Sequence, residues 1–366
     1  MNKRETLQCE KKSFLPNNGE VTTKKLQKAL TIYQNYKKRY PTEDGENLFY
    51  KKDYFKEILP IQPFLEMLPI SLKNSKVYED QNLTKSQLKK LDSFYKQYSQ
   101  QTNHWIKKKY KNDPKIQKKA MNLNKKIKTP FQLYFGYRAE AFVSLNFFIS
   151  LLVILCTVVV VPTFSNNYET GADAIFRCTK HGRRRLAIIK IFALFVCLSA
   201  LYLVAIGLYL FFSNAIFGRE CLKTSVQMIF STLLNFTVGG TQGFFVFYGL
   251  FSLLAIISVS LFLSAKCKNS LTAMVISFAI CLFPSIVSKF LGGGWLVCLF
   301  PSAGLGGFTE EAKNTLFAQL SNDELNFLPF GQTGFWSPYV MMATAAFAIP
   351  IFIILAVSVY EKHQMT

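Results

Sequence analysis

Five long apolar runs in the second half of the chain decide what it can become. They cover residues 141–162, 187–212, 243–264, 271–288 and 337–360, with lengths of 22, 26, 22, 18 and 24. At about 1.5 Å per residue, each run reaches across a hydrocarbon core. Five such runs exclude a soluble globular enzyme, a fibrous protein and a disordered chain. The expected fold is all-α: a polytopic helical membrane protein with about five transmembrane helices and an N-terminal soluble helical domain. Lys190 is the one charged residue inside these limits, a turn into the second run, where its stem can snorkel to the interface. A proton- or ion-driven carrier needs titratable groups near the midplane, and these spans offer only Ser, Thr, Asn and backbone there.

Charge divides the chain at the same place. Residues 1–137 hold 29 of the 43 Lys+Arg and 13 of the 22 Asp+Glu, net +16, while residues 138–366 are net +5. The first part is therefore a water-facing domain and the second the transmembrane domain. In the first, residues 22–39 predict an amphipathic helix through Leu26, Ala29, Leu30, Tyr33 and Tyr36. A second helix, 48–59, is expected to stop at the Pro60, Pro63, Pro69 cluster. A third is expected to start at Thr84 with a capping box to Gln87 and to carry Leu88, Leu91, Tyr95 and Tyr98. No strand pattern competes. Of the 29 basic residues 27 are Lys, which speaks for a solvated surface or attraction of an acidic polymer, and against nucleic acid read by guanidinium forks.

The eight Cys show no CxxC and the three His stand far apart, so neither a metal site nor a disulfide framework is expected. Nor do the spans hold paired Asp, His-Glu or Ser-Lys sets for intramembrane catalysis, and no enzyme activity is assigned to this chain. Between the fourth and fifth runs, Gly292, Gly293, Gly294 and Trp295 open a short apolar piece that ends at Pro301. It is too short to span, reads as a re-entrant segment, and leads to an amphipathic stretch with Glu310, Glu311, Asp323 and Glu324. Basic residues tie at eight on each side, but over 36 residues on one and 98 on the other. Density therefore makes the loop 163–186 cytoplasmic and places the N-terminal domain outside.

That loop runs FSNNYETGADAIFRCTKHGRRRLAIIK and holds four of the eight Arg. As charge alone, Arg183, Arg184 and Arg185 are topology anchors. As a helix, Tyr168, Ala172, Ile175 and Phe176 share a face, with Glu169 and Asp173 expected on its first turn.

The order FS, Glu-x-Gly, Thr, Gly-Arg and a Lys opening the next span resembles bacterial ABC transporter permeases of the type-two exporter class. GEVTTKKLQKAL, LDSFYKQ, KIKTPFQLYFGYRAEAF, SLFLSAKCKNS, LFP at Phe300 and Pro301, and VYEKHQ extend the resemblance over most of the chain. It implies a multi-pass cell-membrane permease subunit driven by a separate ABC ATPase chain that carries the ATP and Mg. A second permease protomer, homo- or heterodimeric, is the other implied partner. The loop 163–186 is then the coupling segment, with Glu169, Gly171, Arg177, Thr179, Gly182, Arg183 and Lys190 at the ATPase. No GxxxxGK[ST] occurs, as expected of a subunit that binds no cofactor itself. The family has a further span ahead of its external domain, and here no apolar run precedes residue 141. The resemblance thus implies a first span supplied elsewhere or a truncated chain. The alternative reading is a non-transporting sensor or immunity subunit whose front domain binds a peptide or other ligand.

Overall fold

The computed structural model describes residues 12–40, 53–72, 91–136, 138–172, 175, 184–230, 232–291, 297–305, 327–330 and 333–362. They are almost wholly helical and form two compact units, a front unit of Met1–Arg138, Asn214–Thr241 and Gly331–Gly334 and a membrane unit of the rest.

In the front unit, Thr22 caps α1 (Thr23–Arg39) by accepting from the Lys25 amide at 3.4 Å, and the predicted face is buried at Leu26, Ala29, Leu30 and Tyr36. The proline cluster does not stop the chain from being helical. Tyr54–Ile58 and Leu59–Ile61 lead into α2 (Gln62–Leu72), which contains Pro63 and Pro69. Proline lacks an amide that the first turn leaves unpaired anyway, so Pro60 and Pro63 start helical turns instead of ending them. Residues 48–52 and the Thr84 capping box lie outside the described residues. The third predicted helix is seen from Leu91, as a short turn and then α3 (Phe94–Lys109). It is followed by α4 (Pro114–Lys125) with Ile116, Ala120 and Asn124 buried, a helix the sequence reading passed over.

A small antiparallel pair, β1 (Gly19–Glu20) with β2 (Gln132–Leu133), departs from the strand-free expectation. Tyr95 ties it to α3: its hydroxyl donates to the Val21 carbonyl at 2.5 Å and accepts from the Phe131 amide at 3.1 Å. Three of the quoted motifs meet at this one phenol. The segment 214–241, between the second and third apolar runs, belongs here too. Its Ser225 amide donates to the Gln132 carbonyl at 2.9 Å and its Thr224 hydroxyl accepts from the Tyr134 amide at 3.0 Å. Met228 joins the core formed by Leu26, Leu30, Phe64, Phe94 and Phe131.

In the membrane unit, α5 (Ala139–Val160), α6 (Pro162–Glu169), α7 (Arg184–Phe217), α8 (Val238–Lys266), α9 (Ser270–Leu291) and α10 (Ser337–Lys362) cover all five apolar runs. Among the described residues four spans are long and apolar enough to cross a membrane: α5 with α6, α7, α8 and α10. In the fifth helix, α9, the apolar stretch Ser270–Pro284 is shorter than those four. These four helices make the chain a membrane-embedded protein. Gly249 lets α5, α7 and α8 close on one another, since a Cβ there would lie inside contact with Tyr202 Oη and 2.7 Å from Ile149 Cγ2. The GxxxG at Gly239 and Gly243 makes no such approach, because a Cβ on Gly243 meets nothing within 4 Å. After α9, the turns Val297–Leu299 and Ala303–Leu305 bury Val297, Cys298, Ala303 and Leu305, with Ser150 donating to the Leu305 carbonyl and Ser302 to that of Ile280. Irregular backbone that is buried needs such protein partners. Residues 292–296 and 306–326 lie outside the described residues, so the acidic amphipathic stretch is not placed.

Candidate functional site: the α6 clamp

The first span does not end at Pro162. The Val161 amide still donates to Thr157 at 3.1 Å, and the helix resumes at once as α6, whose Pro162 occupies the first-turn position that tolerates a missing amide. The helical ladder is interrupted there, and another helix takes up the released donors. The Phe164 and Ser165 amides both donate to Ser264 Oγ of α8, at 2.9 and 3.1 Å. Ser165, fully buried, donates back to the Val161 carbonyl and lies 2.9 Å from Ser270 Oγ.

Glu169 is the last residue of α6, so the expectation that it sits on the first turn of a coupling helix is corrected. Its carboxylate works at a different helix start. Oε1 accepts from the Ser270 amide at 2.7 Å and Oε2 from the Ser270 hydroxyl at 3.2 Å, while Asn269 Oδ1 takes the Leu271 amide at 2.7 Å. Two donors that α9 leaves unpaired are thereby satisfied, and a negative charge faces the positive end of its dipole. Gly171 ends α6: its φ of +69° is left-handed, its amide donates to Tyr168 at 3.3 Å, and a Cβ would meet nothing within 4 Å. Backbone conformation, not space, asks for glycine here.

Two more helices reach the same short segment. Lys190 lies two turns inside α7, one further than expected, and its ammonium donates to the Thr163 carbonyl at 3.4 Å and sits 5.9 Å from the Phe164 ring centre. Tyr360 of α10 packs its ring on Phe164 at 4.7 Å and on Tyr168 at 6.3 Å, and the Tyr168 hydroxyl donates to the Ala265 carbonyl at 3.2 Å. Eight residues of α6 thus hold α7, α8, α9 and α10 at one end.

Of the expected coupling residues, the structure brings Glu169, Gly171 and Lys190 to this clamp. Arg177, Thr179, Gly182 and Arg183 lie outside the described residues, as do Asp173 and Phe176. Ile175 is described and 72% exposed, an apolar side chain left facing outward beyond the clamp. Sequence reasoning missed Ser165, Ser264, Ser270 and Tyr360 as participants. The signal lay in the quoted motifs: Ser264, Ala265 and Ser270 belong to SLFLSAKCKNS, Tyr360 to VYEKHQ, and Phe164 and Ser165 to the FS that opens the loop. Among the described residues no group of three or more His, Cys, Asp or Glu could hold a metal ion.

Comparison with known proteins finds no matching family model, no similar curated protein and no similar solved structure.

Proposed function

We propose that this chain is the transmembrane permease subunit of an ATP-driven exporter, energised by a separate ATPase chain that carries the ATP and Mg and working beside a second permease protomer. The observation that carries the reading is the convergence of distant motifs on α6. One short helix is bonded to the ends of four others, so a displacement imposed there is transmitted to the whole helical unit as a rigid-body push. In this reading the clamp faces the cytoplasm, all five apolar helices span, and the front unit lies outside. Glu169 holds the clamp together, while Ile175 and the Arg-rich residues after it meet the ATPase. Near-absence of charge within the helices supports an external energy source over an ion gradient.

Co-purification of the full chain from its own cells tests the proposal. An ATP-hydrolysing subunit should accompany the wild type and be lost from Ile175→Glu, because an apolar contact of hot-spot quality is worth about 2 kcal/mol or more. Recovery of the intact chain with no ATPase partner sinks it. For orientation, Ser93→Cys should react with an impermeant thiol reagent in intact cells. Reaction only after lysis would place the front unit inside.

A further inference from the structure

The turns that follow α9 meet it at a weak point that the permease reading leaves unused. Pro284 lies inside α9, and its nitrogen has no hydrogen to give the Ile280 carbonyl four residues back. That carbonyl is nonetheless paired. Buried Ser302, from the chain beyond the helix, donates its hydroxyl to it at 2.8 Å. Phe300, two residues earlier, packs its ring on Phe283 with the centres 4.8 Å apart, so both residues bear on the proline break. The other end of the same turn is tied to α5, where Ser150 donates to the Leu305 carbonyl.

We propose that Ser302 is the latch of a proline hinge in α9: bonded to Ile280 it fixes the direction of residues 285–291, and released it lets them swing. From Leu271 to Phe283 every residue of α9 carries an amide, and Glu169 holds the helix start at Ser270, so this part is a stiff rod. At Pro284 one ladder bond is missing and the ring crowds the carbonyl it cannot pair, which opens the helix on that side. Beyond the break Ile286 and Phe290 are 51% and 78% exposed, so neither side chain anchors the segment against the unit. The bond that remains comes from a side chain, which backbone geometry does not hold in place. The Ser302 hydroxyl turns about one bond and has acceptors of its own three and four residues back, at Leu299 and Cys298, which give it a second state. This inference rests on the bonding of α9 and is independent of the ATPase partner.

The test is a distance distribution across the hinge, measured on the full chain in lipid nanodiscs by electron–electron double resonance. Nitroxides are attached through Val275→p-acetylphenylalanine and Phe290→p-acetylphenylalanine, two exposed positions about 22 Å apart along a helix. With Ser302 in place the distribution should be single and narrow. Ser302→Ala should broaden it about twofold or more, whereas Ser302→Thr, which keeps the hydroxyl, should leave it narrow. Pro284→Ala returns an amide to the Ile280 carbonyl, so in that background Ser302→Ala should change the width by less than about one fifth. An unchanged width in Ser302→Ala overturns the latch. Equal broadening with and without Pro284 overturns it too, because Ser302 would then act through packing and not through the freed carbonyl. Should Ser302→Ala alone fail to accumulate, recovery on adding Pro284→Ala supports the latch and failure to recover overturns it.

Discussion

In the front unit the largest buried side chains include Tyr36, Phe64, Phe94 and Phe131, and among the described residues few large apolar groups, such as Leu15 and Phe55, are exposed. In the membrane unit the pattern turns over. Phe192 and Phe347 are 69% exposed, while Ser150, Thr157, Ser165, Ser258, Ser264 and Ser277 are buried. Most of those hydroxyls face inward to a carbonyl, as when Thr157 donates to Val153 at 2.9 Å and Ser258 to Leu254 at 2.7 Å. Water rewards burial of an aromatic ring, whereas hydrocarbon is as apolar as the side chain itself and rewards close packing and satisfied polar groups instead. The same residue type therefore carries different weight in the two units.

The largest expected effect tests that difference directly. Phe64→Ala, in the front core, should cost about 3–5 kcal/mol in thermal or denaturant unfolding of the full chain. Phe347→Ala, on the outward face of α10, should stay within about 0.5 kcal/mol in detergent or bilayer. Similar losses at both sites would break the comparison.

Next come two sites where each unit concentrates a contact. Tyr95→Phe removes the hydroxyl shared by Val21 and Phe131 and leaves a buried amide unpaired, which should cost about 1–3 kcal/mol. Burial pushes the Tyr95 phenol up to about 12, the hydrogen bond from Phe131 working against that rise. Its unfolded value is about 10, so below that pH both states are neutral and its contribution is complete. As pH rises from about 10 to about 12 the unfolded chain ionises first and the contribution is lost. Wild type should thus lose more stability over that interval than Tyr95→Phe, and the phenolate absorbance of the two should differ by one late-titrating tyrosine. In the membrane unit, Gly249→Ala should cost about 1–3 kcal/mol through contact with Tyr202 and Ile149. Gly243→Ala has open space and should be neutral or gain up to about 1 kcal/mol from helix propensity.

The smallest effect separates holding from docking. Glu169→Gln keeps an acceptor but removes the charge at the α9 start, which should cost about 0.3–1 kcal/mol and speed hydrogen exchange at Ser270 and Leu271. Ile175→Glu should leave that exchange unchanged and, if the proposed permease function holds, abolish ATPase association. If both variants behaved alike, the clamp and the docking surface would be one and the same.

Helix positions were legible because an unbroken apolar run admits little else, and α10 starts at Ser337, where the fifth run starts. Pro162 misled, because proline ends helices in most contexts and the rescue by Ser264 comes from a residue about 100 positions away. The role of Glu169 was hidden for the same reason: a carboxylate that caps its own helix and one that caps a distant helix look identical in sequence. Residues 218–237 carry no helical periodicity, and their bonds to the 127–136 stretch join backbone amides to the isolated side chains of Thr224, Ser225 and Asn235, which form no pattern that a sequence displays.

The three-part composition of the front unit has a consequence for how the protein is made. Its core includes Met228, yet the first of its three segments ends at Arg138, so about 90 further residues must leave the ribosome before that core can close. At roughly 5–20 residues per second, this leaves a nascent front segment waiting on the order of 5–20 s with Phe64, Phe94 and Phe131 lacking a neighbour. During that interval two membrane helices are synthesised, and a chaperone that shields aromatic surface has time to act.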